Sequence, residues 1–168
     1  VPPTIGVVAG GIGTLIDAEL ARFVKGPVSA MLGTVDATAV ADVTRVAGIA
    51  PLDGDHFRLL ISTEAATACA NARVGARVSV LVTDITNYRS VQWKGEVVAP
   101  CGPRTTGDLA LLHHHVDAFV ASCHLVHIDP AMGDRFFPVE VVAMVVHVDD
   151  VYDQTPGPGA GRRMVPAP

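Results

Sequence analysis

The densest group of chemically able side chains lies late in the chain, where His113, His114, His115, His124 and His127 stand with Cys123 and Asp129. Imidazole, thiolate and carboxylate are the usual ligands of transition metals, and two ligands on one helix face need a spacing of three or four residues. His113 and Asp117 have that spacing, and the run Cys123-His124-x-x-His127-x-Asp129 adds further donors. Helix geometry opposes a shared ion, because consecutive residues point ~100° apart and three adjacent histidines cannot converge. The group reads as solvent-facing and interface histidines, and no metal is expected. A second constellation imitates the opening of a dinucleotide-binding unit: an apolar run from Ile5, then Gly10-Gly11-Ile12-Gly13, a helix, a strand and Asp36. Pyrophosphate held on helix amides would be its chemistry. A Gly-x-Gly-x-x-Gly register starting at Gly11 nevertheless reaches Ile16 where the third glycine must stand, and the chain lacks the alternating helices and strands of a parallel sheet. Residues 1–16 therefore read as a flexible or loosely docked N-terminal arm. No Ser-His-Asp or Cys-His set can be singled out, Cys69 reads as packing, and Trp93 reads as a core residue rather than a stacking platform.

The elements that position these residues follow from periodicity and turn chemistry. Asp17 can cap a short helix over 16–25, stopped by Gly26-Pro27. Strands are expected over 28–35, 43–49 and 56–61, separated by the polar stretch 36–42 and the turn Pro51-Leu52-Asp53-Gly54-Asp55. Ser62 or Thr63 can cap an alanine-rich helix over 64–73, which Gly75 ends before strands over 77–83 and 90–99. Pro100-Cys101-Gly102-Pro103 precedes a helix over 106–122, with Leu109, Leu112, Val116, Phe119 and Val120 on one stripe. A β-branched strand over 139–148 and an irregular Pro/Gly tail over 153–168 complete the chain. Six strands, mostly consecutive and joined by short turns, predict antiparallel pairing in a barrel with peripheral helices, a single mostly β domain over 17–152.

Composition limits what such a domain does. The chain has 168 residues, 12 Lys+Arg against 17 Asp+Glu, and a net charge of −5, so it carries no basic field for nucleic acid. Hydrophobic residues make up 49% and charged ones 17%, with a mean hydropathy of +0.40, which excludes disorder and leaves apolar surface to bury at a homodimer interface. The uncharged run 1–16 lacks a basic flank and is too short and glycine-rich to span a membrane. Three cysteines with no close spacing form neither a disulfide framework nor a zinc knuckle, which fits a reducing cytoplasm.

Several stretches, in order, carry a resemblance: Gly26 to Asp36 (GPVSAMLGTVD), Asp42 to Val46 (DVTRV), Leu59 to Thr63 (LLIST), Ala70 to Arg73 leading to Val78 to Val82, and Tyr88 to Val97 (YRSVQWKGEV). Together they resemble the pyridoxamine 5′-phosphate oxidase-related family of FMN-binding split barrels, over about half the chain. The resemblance implies a six-stranded antiparallel split β-barrel, a homodimer, and FMN at the subunit interface of an oxidoreductase acting on a small organic substrate. It implies that Arg45 binds the phosphate, that Ser62 and Thr63 meet phosphate and ribityl groups, and that Ser90 and Gln92 approach the flavin from the partner subunit. The family's cations in the first turns of the following helix are replaced by Ala66 and Thr67, leaving Thr67 one hydroxyl and Arg73 the far end of the helix. No residues match a clamp for a second, substrate phosphate, so the vitamin-biosynthesis activity itself is not expected. Some relatives of the superfamily bind haem through a histidine, which makes haem the alternative cofactor and His124, His127 and His147 its candidate ligands. A non-enzymatic dimer with a degenerate cleft is the third reading.

Overall fold

The computed structural model describes residues 14–138 and 140–164. The glycines of the dinucleotide-like segment lie outside the described residues. The elements are α1 (Ala18–Phe23), β1 (Val28–Val35), β2 (Ala41–Pro51), β3 (His56–Ser62), α2 (Ala66–Asn71), β4 (Arg77–Asp84), β5 (Ser90–Gly102), α3 (Thr106–Cys123), a 3-10 turn, α4 (Pro130–Gly133), a second 3-10 turn (Asp134–Phe136), β6 (Val141–Asp153) and β7 (Arg162–Met164).

Aspartates build the hairpins. Asp36 accepts from the amides of Thr38 and Val40, Asp53 from those of Asp55 and His56, and Asp84 from that of Thr86, so each side chain replaces a backbone acceptor as the chain reverses. Asp36 thus serves a turn and not a ribose. The strands pair antiparallel in the order β3-β2-β1-β4-β5-β6, and β3 also pairs with β6, which closes a six-stranded barrel. Strict alternation drives this closure: in β1 Val28, Ala30, Leu32 and Thr34 point inward while Ser29, Met31 and Gly33 are only half-buried. The interior holds Trp93, Phe57, Leu32, Ile49, Leu59, Ile61, Val82 and Met144. Trp93 meets Phe57 edge to face at 4.8 Å, so the tryptophan is core, as its strand position predicts.

The outer wall is unequally covered. Helix α3 lies across β2, β3 and β6, and Leu111, Leu112, Val116 and Phe137 pack on Ala47, Leu60, Val141 and Ala143. A bulge in β2 between Val46 and Gly48 turns Ala47 outward to meet the helix while Val46 and Ile49 stay inside. A Cβ on Gly48 would sit 2.9 Å from Leu60 Cδ1 and 3.2 Å from Leu111 Cγ, so glycine here permits the helix's close approach. The start of α3 is fixed by a capping box between Thr105 and Asp108.

Four expectations change in detail. The helix over 64–73 is the shorter α2, because Ser62 Oγ accepts from the Glu64 amide and holds a turn, and the helix begins after Ala65 with no side-chain cap. The buried side of α3 runs through Asp108, Leu112, His115, Phe119 and Cys123, with Leu109 and Val120 at its margin, because two polar residues share the apolar stripe. Leu15 and Ile16 pack on the barrel core, where the Ile16 amide donates to the Gly54 carbonyl, so the described end of the arm is docked. The described part of the tail is structured: Gly157 and Gly161 take positive φ, the Gly161 amide donates to the Asp153 carbonyl, and β7 pairs with the end of β6. Among the described residues no helix is long and apolar enough to cross a membrane.

Candidate functional site on the open half of the wall

The part of the barrel that α3 leaves most open is the outer face of β4 and β5 with the adjoining stretches of β1 and β2 around Met31 and Val43. Direct strand partners form a row across it: Arg45, Met31, Leu81, Gln92 and then Tyr152. Partners in a ladder project to the same face, so the row is contiguous, and Arg45 lies three strand spacings, ~14 Å, from Gln92. Gly33 and Ser79 keep the neighbouring row small, between Val43 on one side and Lys94 on the other. Val43 is 62% exposed and Leu81 36%, a flat apolar surface with polar ends.

Arg45 is the distinctive group. Its guanidinium donates to Ser29 Oγ at 3.1 Å and lies 5.2 Å from the centre of the Phe136 ring, and among the described residues it has no carboxylate partner. Burial pulls its pKa below the usual arginine value. The last ladder pair of β2 with β3 is Val46 with Ile61, so Arg45 and Ser62 are the next residues of each strand. The strand end therefore assembles one half-buried cation with the Ser62 hydroxyl, while Thr63 is exposed and its amide donates to the Glu140 carbonyl. Thr67 is exposed on α2. Arg73 does not join them: it lines a separate open groove of about 480 Å³ with Asp36, Asn71 and Arg77.

Gln92 and Ser90 sit at the other end of the open face. The Gln92 amide donates to Ser79 Oγ at 2.9 Å and its oxygen accepts from Gln154 at 3.0 Å, which fixes the carboxamide. Ser90 is buried: its hydroxyl bonds Thr83 Oγ1 and the Tyr88 carbonyl, and its amide donates to Thr155. The folded-back tail thus covers Ser90 and orients Gln92. Sequence reasoning left Met31, Leu81, Gln154 and Thr155 unassigned to this face. Strand alternation could have found the first two, whereas no local signal marks where a Pro/Gly tail returns.

The histidines disperse. His113, His124 and His127 are exposed, Asp117 is exposed on its own turn of α3, and among the described residues no group of three His, Cys, Asp or Glu is arranged to hold a metal ion. His114 bonds the Lys25 carbonyl at 2.9 Å and ties α3 to the end of α1. His115 is buried, and burial with His114 beside it lowers its pKa to about 4, a shift that the nearby Leu111 and Val24 carbonyls only partly offset. Between that value and the unfolded ~6.5 the unfolded chain binds the extra proton, so His115 is expected to remove stability as pH falls through this window, on the order of 3 kcal/mol in full. A histidine NMR titration checks it: the His115 ring must remain neutral at pH 5.5, where an imidazole with the unfolded value of ~6.5 is mostly charged. The Cys101 thiol is pushed up to about 12 by burial and by Cys69 beside it, which makes it a packing group and not a nucleophile.

No protein-family model and no curated protein matches the chain. Among solved structures it is similar to HupZ of Group A Streptococcus, 15% identical over 88% of this chain and 100% of that one, with a TM-score of 0.54. The conserved hypothetical protein Rv2991 of Mycobacterium tuberculosis is 19% identical over 87% of this chain and 88% of its own, with a TM-score of 0.51. The chain has the split-barrel fold. An FMN-binding protein from Syntrophomonas wolfei, 15% identical over 82% of this chain and 87% of its own, is a more distant match at a TM-score of 0.48. At such identities likeness extends to the split barrel alone, and the chemistry must be argued from this barrel's own residues.

Proposed function

We propose that this split barrel is a flavoprotein that binds FMN on the open half of its wall, at the interface of a homodimer, and acts as an oxidoreductase on a small organic substrate. The observation that carries the reading is Arg45, a half-buried cation with no acidic partner among the described residues. Most arginines of the protein are otherwise engaged: Arg58, Arg77, Arg89, Arg104, Arg162 and Arg163 each face a carboxylate. A desolvated guanidinium beside hydroxyls is a site for an anion of the phosphate class.

The residues fit the cofactor in outline. Arg45 and Ser62 would hold the phosphate, with Thr63 and Thr67 at the neighbouring chain reversal. Met31 and Leu81 offer an apolar surface to the ring, and the fixed carboxamide of Gln92 offers hydrogen bonds to its polar edge. FMN, when bound, supplies hydride and single-electron transfer. The chain's part is binding, orientation and exclusion of water. A second copy laid on Val43 and Leu81 would bury the apolar surface and close the slot that one copy leaves open. The free thiols of Cys69 and Cys101 are consistent with action in the cytoplasm.

The absorption spectrum of the purified protein, before and after FMN addition and desalting, tests this. Retained bands near ~370 and ~450 nm, general flavin chemistry, are expected. A Soret band would overturn the reading in favour of haem, with His147 as the ligand to replace first because Asp149 holds its ring at 3.0 Å. A flat spectrum in both samples would leave a non-enzymatic dimer. In the FMN-binding protein, Arg45→Ala is expected to weaken FMN by about 10- to 100-fold, the loss of one or two charge-assisted hydrogen bonds. Riboflavin, which lacks the phosphate, should lose little, and fluorescence titration of both compares them; equal losses would remove Arg45 from phosphate binding.

A further inference from the structure

The face of the barrel near the Asp53 turn carries a feature that the flavin reading does not use. Direct strand partners again form a row: His56 on β3 opposes His147 on β6, His147 opposes Glu96 on β5, and Glu96 opposes Arg77 on β4. The two imidazoles stand with ring centres 5.0 Å apart and planes at 63°. Each is held by a carboxylate at Nδ1: His56 by Asp53 at 2.9 Å, His147 by Asp149 at 3.0 Å. Asp149 is held in turn by Arg77. Among the described residues the Nε2 atom of neither ring makes a hydrogen bond, and the two side chains are 32% and 36% exposed.

From this arrangement we infer that His56 and His147 form a binding site for a late first-row divalent cation such as Zn²⁺, with both Nε2 atoms as ligands. A carboxylate at Nδ1 fixes the tautomer that presents a lone pair at Nε2, which is the outer-shell pattern of metal-bound histidine. The spacing is right as well. With a Zn–N bond of ~2.0 to 2.1 Å and a near-tetrahedral angle, two ring centres sharing one ion lie ~5 Å apart. The surrounding charge favours a cation, since Asp149 balances Arg77 and leaves Asp53 and Glu96 in excess. The two imidazoles are the protein ligands, and solvent completes the shell. His56 and Ser62 occupy opposite ends of β3, ~20 Å apart, so the site is separate from the proposed flavin. Because His56 and His147 belong to the ladder that closes the barrel, the ion would tie the seam.

The test uses the full chain, metal-stripped, at pH 7.5, with Zn²⁺ alone as the probe in calorimetry and thermal melts. One Zn²⁺ per chain and a rise in Tm are expected. His56→Ala and His147→Ala should each weaken binding by at least tenfold, and Asp149→Asn by about 10- to 100-fold, the usual loss when an outer-shell partner of a metal-bound histidine is removed. A triple variant, His113→Ala with His124→Ala and His127→Ala, should bind Zn²⁺ as the parent does. Histidine ¹⁵N spectra of the unmutated protein guard against variants that fail to fold, since Zn²⁺ must shift Nε2 of His56 and His147 and no other ring. Absence of stoichiometric binding, binding that survives the His56→Ala/His147→Ala pair, or binding lost in the triple variant would overturn the assignment.

Discussion

Asp108→Ala is expected to lower the stability of the barrel by about 3–5 kcal/mol, the range for removing one partner of a buried ion pair and leaving the other charge uncompensated. Asp108 is 4% exposed in its side chain and receives two hydrogen bonds of 2.6 Å from Arg58, one on each carboxylate oxygen. The same carboxylate accepts from the Thr105 amide in the capping box, so the substitution also frays the start of α3, a further ~1 kcal/mol. Helix α3 covers β2, β3 and β6, and the loss should therefore appear as one cooperative shift in urea unfolding rather than as a local change. Replacing the pair together, Arg58→Met with Asp108→Leu, should recover much of the loss, because the cost lies mainly in the orphaned charge. A loss below ~1 kcal/mol in the single variant would show that α3 is held by its apolar stripe alone.

The pH dependence of this contact has a definite sign. Burial pushes the Asp108 carboxyl upward, but Arg58 and the Thr105 donors outweigh it and hold the pKa below the ordinary carboxylate value. The pair's contribution is thus complete above the unfolded pKa near ~4 and disappears as pH falls through the lower folded value. The His115 effect ends where this one starts, so acid unfolding should show a gradual loss from about pH 6.5 followed by a steeper fall.

The second large effect is expected from Gly95→Ala. A Cβ on Gly95 would lie 1.8 Å from the His147 carbonyl oxygen and 2.9 Å from its carbon, and both are backbone atoms of the neighbouring strand. The β5–β6 ladder shifts register between Lys94 and Gly95, and this irregularity brings the two chains so close. Side chains can swing away from an added methyl; a paired strand cannot, short of breaking the ladder. The variant should lose more than ~3 kcal/mol, at or beyond the upper end of overpacking costs, and thermal melts should show a low or absent transition. A variant with the parent's Tm would show that the seam of β5 and β6 is far more pliable than this spacing allows. Gly48→Ala offers the comparison: its nearest obstacles are the ends of Leu60 and Leu111, and it should be tolerated better.

Much of the barrel was legible because its strands alternate cleanly, as Val28 to Val35 does, and because aspartates mark the turns at Asp36, Asp53 and Asp84. The bulge at Ala47 was not, since a two-residue reversal of burial depends on the helix that packs there. Arg58 and Asp108 are 50 residues apart, and nothing local distinguishes them from surface charges. At the candidate site, family likeness and strand position converge on Arg45 and Gln92, which the structure places on one row. Ser90 shares the strand and parity of Gln92, yet the tail that covers it is a tertiary event. His56 entered the sequence reading only as the start of a strand, because its partner His147 is reached only through closure of the barrel.

That closure also bears on how the chain reaches its native state. The β3–β6 ladder joins segments from the first and last halves of the sequence, with β4, β5 and α3 lying between its two strands along the chain. Contacts so distant along the chain return their energy only after a large loss of loop entropy, which puts such topologies in the slow range of single-domain folding, milliseconds to seconds. Until the seam forms, β3 and β6 carry some of the most apolar sequence in the protein, His56 to Ser62 and Val141 to Val148, as unpaired edges. Dilute refolding should therefore succeed where concentrated refolding yields aggregate, with the partition set by how quickly the last ladder zips.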